Sequence, residues 1–258
     1  MHKLFLLTLF VTACKENVTT LPLTTTTTIP TLTRNEITDK NSWTYFLQHL
    51  PQKKGPVVDY KGNPVPGQQK SAALIDYDIG NRDLQQCADA LMRLWAEYLF
   101  GQKRYADIHF QFTNGDAYSF LAYCNGKRPV ATGNTVRFTT GSPVAVSHKS
   151  LRKYLDIVYA YAGTISLARE LQAADRFAIG TVVIAPGSPG HCFLIVDEAI
   201  LKNGETVYKL VEGYTPAQSI YVLQNLTEPQ LGFWHRLPKG VIKTATYTFS
   251  SYRLKRFE

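Results

Sequence analysis

An α+β fold, with a central and mainly antiparallel sheet packed against helices in a single domain, is predicted by three features of the sequence. Residues 180–184, 193–196 and 206–211 are apolar, β-branched runs separated by glycine turns, the pattern of consecutive buried strands. Residues 81–99 carry apolar side chains at helical spacing through Leu84, Leu91, Trp95 and Tyr98, and residues 149–160 repeat the pattern through Leu151, Tyr154, Leu155 and Val158. Asn114-Gly115 and Asn203-Gly204 join strand-like runs as tight hairpins, which implies antiparallel pairing.

At 258 residues the chain is long enough for one sizeable core. Its 45% hydrophobic content excludes a disordered protein. The formal charge is +8, but the Lys and Arg residues are scattered and form no basic stripe, so no nucleic-acid partner is expected. No cofactor motif is present. The four cysteines include no CxxC pair and no tight His/Cys cluster, so neither a cofactor nor a metal is expected.

In chain order, Lys3 and the apolar run Leu4–Val11, too short to span a bilayer, lead to Val11-Thr-Ala-Cys14. This segment resembles a bacterial lipobox. It implies a signal peptide over 1–13, lipid on Cys14, a membrane partner through that lipid, and residence in the cell envelope as an outer-membrane lipoprotein. Residues 14–35, with the threonine run Thr24–Thr28 between Pro22 and Pro30, cannot build a core and read as a tether. The globular domain is expected over 36–258. Removal of residues 1–13 leaves Cys87, Cys124 and Cys192 besides Cys14, an odd number, so at least one thiol is unpaired within the chain.

Ser42 is placed to cap a short helix through Trp43 and Phe46 that stops before Pro51. A strand over 72–77 and the helix from an Asn81 N-cap follow, with Cys87 on the apolar face of that helix near its start. Asp76, Asp78 and Asp83 flank the turn between them. That placement also suits a cation, although carboxylates at loop ends are common and no metal is assigned to them. Residues 105–114 alternate, with Ile108, Phe110 and Phe112 on one face and Asp107, His109 and Gln111 on the other. Ala117–Cys124 reads as the hairpin partner, and Thr135–Phe138 as a further strand. Gly163 divides the second helical region, with Thr164 or Ser166 capping a further helix through Leu167 and Leu171. The stretch Gly187-Ser-Pro-Gly-His191 then sets His191 where a rigid turn meets a strand, at a rim expected to be exposed, and Asp197 is expected where that strand ends.

Four ordered motifs carry a family resemblance: Asp83-Leu-Gln-Gln-Cys-Ala-Asp-Ala90, Tyr161-Ala-Gly-Thr-x-Ser-Leu167, Pro186-Gly-x-Pro-Gly-His191 and Gly213-Tyr-x-Pro-Ala-Gln218. Together they are similar to DUF4846, an uncharacterised family of lipoprotein-type domains of Bacteroidota, over roughly residues 36–258. Where members tend to have Gln-Gly, this chain has Glu212-Gly213. The pattern also faintly resembles the papain-like NlpC/P60 hydrolases, which cleave amide bonds in cell-wall peptides. That second resemblance implies Cys87 as nucleophile, His191 as base, and Glu212 or Gln218 as the residue that orients the imidazole.

The chemistry of such a set is coherent. An imidazole takes the thiol proton, a helix N-terminus favours the thiolate, and an acceptor fixes the ring tautomer. It requires the Cys87 sulfur to lie within reach of a His191 ring nitrogen. His109, Gln111, Tyr214 and Asp83 are the remaining candidates for the walls of a binding site, and peptidoglycan or another envelope component is the expected partner. The competing reading is structural. Cys87 would be core, as would Cys192, which alternates away from His191, and the domain would be non-catalytic, binding glycan, peptide or protein through Tyr161, Tyr214, Tyr221, Phe233 and Trp234.

Overall fold

A computed structural model describes residues 31–133 and 135–258; the segment that resembles a lipobox, Cys14, and the part of the expected 14–35 tether up to residue 30 lie outside the described residues. The predicted strands and helices assemble as a mixed α+β domain around one ten-stranded sheet whose pairings are all antiparallel. Among the described residues no helix is long and apolar enough to cross a membrane.

The chain enters through β1 (Leu32–Arg34), α1 (Trp43–Gln48), β2 (Gln52–Lys53) and β3 (Ser71–Ile75). Ser42 caps α1 as expected, its hydroxyl accepting the Tyr45 amide at 3.1 Å. Helix α2 spans Cys87–Gly101 rather than starting after Asn81. Its delayed start is set by a contact from elsewhere in the chain. Asp83 Oδ1 accepts the Ala217 amide at 2.7 Å and the Gln86 side chain at 3.0 Å, tying residues 83–86 to a distant loop instead of to a helical turn. The Gln86 amide then donates to Asp89 Oδ2 at 3.1 Å, which closes the first turn and makes Cys87 the first helical residue.

The alternating segment forms a small hairpin, β4 (His109–Gln111) with β5 (Ala117–Ser119), and Ile108, Phe110 and Phe112 are buried as predicted. Beyond Ser119 the expected strand is instead α3 (Phe120–Cys124), because the Ser119 hydroxyl accepts the Ala122 amide and initiates a helical turn. The hairpin β6 (Lys127–Thr132) with β7 (Thr135–Thr140) follows, then α4 (His148–Tyr161) and α5 (Thr164–Glu170), divided at Gly163. Gly163 itself occupies the cap position of α5, with the Ser166 hydroxyl taking its amide at 3.0 Å.

The sheet is completed by β8 (Gln172–Ala173), β9 (Thr181–Ala185), β10 (His191–Leu201), β11 (Thr206–Glu212), β12 (Tyr221–Leu223) and β13 (Trp234–His235). The pair β14 (Ile242–Lys243) and β15 (Thr248–Phe249) stands outside it, and β16 (Arg253–Arg256) closes the chain. The strand order is β2-β3-β12-β11-β10-β9-β16-β8, with β1 on the far half of β10 and β13 on β11. Strand β16 beside β9 is an addition to the predicted sheet; three of its four residues are basic, and its end residues Arg253 and Arg256 are exposed.

Strand alternation sorts the sheet into two cores. Val182, Ile184, Cys192, Leu194 and Val196 face the helices, beside Leu91, Leu94 and Leu155. Val183, Phe193, Ile195 and Leu210 face the other way, against Ile242 and Phe249 of the C-terminal hairpin. Strand β10 does not end at Asp197 but continues to Leu201 through an irregularity between Ile195 and Asp197. That irregularity turns the Asp197 carboxylate inward, where it accepts Arg34 Nε at 2.6 Å and Gln48 Nε2 at 2.8 Å. Asp197 is therefore the anchor of the N-terminal segment.

Candidate active site

Three element ends converge at one edge of this scaffold: the first residue of α2, the first of β10 and the last of β11. They carry Cys87, His191 and Glu212. The register sets Leu194 opposite Val211, so His191 and Glu212 project from the same face two positions apart on paired strands. His191 Nε2 lies 2.8 Å from Glu212 Oε2. The other ring nitrogen is free of that bond, and the two side chains act on one another's acidity, Cys87 raising the pKa of the imidazole and His191 lowering that of the thiol. The thiol also lies 3.7 Å from the Gly190 carbonyl.

Glycines permit this convergence. A Cβ on Gly190 would fall 2.3 Å from Thr164 Oγ1 and 2.7 Å from the Gly187 nitrogen. One on Gly213 would fall 2.7 Å from Ala90 Cβ and 2.9 Å from the Gln86 carbonyl, so a side chain there would push the start of α2 off the sheet. The Pro-Gly-x-Pro-Gly-His and Gly-Tyr motifs thus mark the two places where backbone must approach backbone for Cys87 to reach His191.

His191 is not at an exposed rim. It is 3% exposed, enclosed by Tyr214, Tyr247 and Phe249 with ring centroids 5.2, 5.1 and 5.8 Å away. Glu212 is fully buried, and its oxygens also accept Tyr221 Oη at 2.6 Å and Thr246 Oγ1 at 3.1 Å. These donors, not water, compensate the carboxylate. Lys70 Nζ stands 5.2 and 5.3 Å from the Tyr214 and Tyr221 rings, and burial lowers its pKa against the attraction of Glu212.

Two titrations follow from this geometry. A hydrogen bond with the Cys192 thiol contributes most to lowering the Cys87 pKa; burial opposes it, His191 adds to it, and the thiol comes down to about 5. Burial alone would lower the His191 pKa, but the bonds to Cys87 and Glu212 outweigh it and raise the imidazole to about 9. Between those values the pair is a thiolate beside an imidazolium. Burial raises the neighbouring Asp89 carboxyl well above its ordinary value, which spares the thiolate a second negative charge.

A cavity of about 360 Å³ opens beside the sulfur, with Gln86, Cys87, Tyr159, Thr164 and Thr215 among its lining residues. A larger hollow of about 810 Å³ lies between Arg176, Glu198, Tyr208 and Lys239, but no cysteine or histidine lines it. The larger hollow and the Cys87 thiol therefore occur in different places, and the thiol lines the smaller cavity.

The remaining expected residues divide. Asp83 lines the Cys87 cavity, and Tyr214 packs edge-on against His191. Gln218 is buried nearby but accepts Lys70 Nζ at 3.1 Å and makes no bond to His191, so Glu212 alone meets the imidazole. His109 and Gln111 do not line the cavity. His109 is exposed with its Nε2 3.8 Å from Glu170, and the Gln111 amide donates to Glu170 at 2.9 Å.

Asp76 and Asp78 are engaged by cationic side chains, Lys53 for the first and Arg93 with Arg152 for the second. Among the described residues, no group of three His, Cys, Asp or Glu side chains is arranged to hold a metal. Of the five aromatics proposed for a binding surface, Tyr221 and Trp234 are buried and the others half-buried. Sequence reasoning missed Tyr221 and Thr246 as donors to Glu212. The alternation Thr244, Thr246, Thr248 was visible, but nothing in it pointed to a residue 34 positions away. It also missed that Cys192, fully buried as expected, shares the helix-facing core against which Cys87 packs.

The chain belongs to the DUF4846 family, described as a domain of unknown function (4846), which it matches over residues 23–256. No curated protein and no solved structure matches it.

Proposed function

We propose that the protein is a cysteine amidase or peptidase of the cell envelope, acting on cell-wall peptides, with Cys87 as nucleophile, His191 as general base and acid, and Glu212 as the residue that orients the imidazole. The observation that carries this reading is the convergence of Cys87, His191 and Glu212 at three element ends, with His191 bonded to Glu212 at 2.8 Å, Cys87 and His191 shifting one another's acidity, and a cavity beside the thiol. The order of Cys, His and acid along the chain is also that of the papain-like NlpC/P60 hydrolases, which favours an amide substrate. Placement in the envelope rests on the Cys14 lipobox, which would hold the domain next to peptidoglycan.

The steps follow from the charges. The Cys87 thiolate attacks the amide carbonyl, and the backbone amides of the first turn of α2, which lack helical acceptors, face the developing oxyanion. His191 then gives its proton to the departing amine as the C–N bond breaks, leaving a thioester. A water attacks that thioester, neutral His191 takes its proton, and the acid product leaves as the thiolate–imidazolium pair is restored. Glu212 keeps Nε2–H engaged throughout, so the nitrogen facing the thiol is the one that gains and loses the proton.

Digestion of peptidoglycan fragments, followed by mass spectrometry, tests the reading. Wild-type protein should release amide-cleaved products and Cys87→Ala should release none. Equal hydrolysis by the two would exclude Cys87 as nucleophile. If neither cleaves, while iodoacetamide still labels Cys87 half-maximally near pH 5, the thiolate stands and the cell-wall substrate does not.

A further inference from the structure

Cys192 has no part in the proposed hydrolytic steps, yet it lies on the strand against which the helix of Cys87 packs. It is the second residue of β10, fully buried, with its side chain on the helix-facing core. Cys87 begins the helix that packs on that strand, and its thiol meets the Gly190 carbonyl two residues before Cys192. Cys87 packs against the same helix-facing core that holds Cys192, each thiol shifts the acidity of the other, and neither is bridged to another cysteine. Their exposures differ: Cys87 is half-buried and lines the cavity, while Cys192 is sealed behind it. Cys124 lies at the end of α3 and is buried, on a different element from either.

We propose that Cys87 and Cys192 are a peroxide-responsive pair, in which Cys87 is oxidised first and Cys192 resolves it as a reversible disulfide. The Cys87 thiolate attacks one oxygen of a hydroperoxide, the O–O bond breaks, and the released hydroxide takes up a proton as water. The resulting sulfenic acid lies against the Cys192 thiol. Sulfur attacks sulfur, the S–O bond breaks, and the Cys192 proton leaves with the hydroxyl as a second water. Each peroxide is reduced by two electrons, supplied by the two thiols, and an external dithiol returns both to the reduced state. The asymmetry in acidity suits these roles: contact with Cys192 lowers the pKa of the cavity thiol, and burial together with Cys87 raises that of the sealed one. The disulfide would withdraw the nucleophile while protecting it from irreversible oxidation.

This inference does not require the hydrolase reading, and its test is read by mass. The purified full chain is treated with a several-fold molar excess of hydrogen peroxide, then analysed intact and as non-reduced peptides. Wild-type protein should lose about 2 Da and yield a Cys87 peptide linked to a Cys192 peptide, both reversed by dithiothreitol. Cys192→Ala should instead gain about 32 Da at Cys87 as the sulfinic acid, and dithiothreitol should recover at least tenfold less free thiol. Cys192→Val serves if the alanine variant does not fold. Sulfinic acid at Cys87 of the wild type without a linked peptide, or linkage to Cys124 or to a second chain, overturns the proposal.

Discussion

Strand β10 carries a buried ionisable cluster at each half, and the two are balanced in opposite ways. At Asp197 the carboxylate is met by Arg34, by Gln48 and, at 3.9 Å, by Lys209. At Glu212 it is met by His191 and by the neutral hydroxyls of Tyr221 and Thr246. A guanidinium stays charged at any ordinary pH, so the first cluster is fixed. The second holds its charge only while Cys87 supplies the proton that His191 carries. One buried acid thus ties a chain terminus to the sheet; the other makes the state of a thiol depend on the state of an imidazole.

The largest effect that tests this contrast is Cys87→Ala. If the proposed chemistry is correct, hydrolysis should fall by at least about a thousandfold, since removing a covalent nucleophile leaves only binding and oxyanion contributions. The imidazole loses its thiolate partner in the same variant, so the His191 pKa measured by NMR should drop below about 9. An unchanged value would mean that Glu212 alone sets it.

Exchanging the two acids comes next. Glu212→Gln keeps side-chain shape but removes the charge opposing the imidazolium, so iodoacetamide labelling of Cys87 at pH 6.5 should slow about tenfold or more. Asp197→Asn should leave that labelling rate unchanged and lower the thermal midpoint instead. Its cost should be about 1–3 kcal/mol, at the modest end for a buried ion pair, because Arg34 is 37% exposed and can turn to water. Slower labelling in Asp197→Asn would show that the two clusters are coupled along β10.

The pH profile sharpens the same point. Below about 5 the Cys87 thiol regains its proton, and the nucleophile of the proposed chemistry is lost. Above about 9 His191 is neutral and has no proton for the departing amine. Activity should therefore be a plateau with an acidic limb near 5 and a basic limb near 9. In Glu212→Gln the two limbs should move towards each other, the acidic one upward and the basic one downward. A basic limb that stays near 9 would assign it to another group.

How much of this was legible in the sequence depends on the range of the interaction. The strands from Thr181 to Glu212, helix α4 and the Asn-Gly hairpins are written in local periodicity and turn chemistry, and they appear where those signals put them. The start of α2 was not, because it is set by Asp83 reaching the Ala217 amide, a contact 134 residues apart. Cys87 and His191 were nameable as a pair from their order, while the choice of Glu212 over Gln218 needed the register of β10 with β11. His191 looked exposed because a glycine turn precedes it. What buries it comes from Tyr247 and Phe249, in a tail whose alternation carried no sign of its destination.

The smallest expected effect concerns the hydroxyl that holds the far oxygen of Glu212. Tyr221→Phe removes one hydrogen bond of 2.6 Å and leaves Glu212 Oε1 buried without that donor. The ring is fully buried and keeps its packing, so the fold should survive with a loss of about 1–3 kcal/mol. A carboxylate with one donor fewer is a stronger base and pulls harder on the His191 proton. The basic limb should therefore rise slightly, in the direction opposite to Glu212→Gln. The two variants thus separate a loss of charge from a loss of charge compensation at the same atoms. If Tyr221→Phe instead moved the basic limb downward, the carboxylate would have turned away from His191, and Tyr221 would be what keeps it in place.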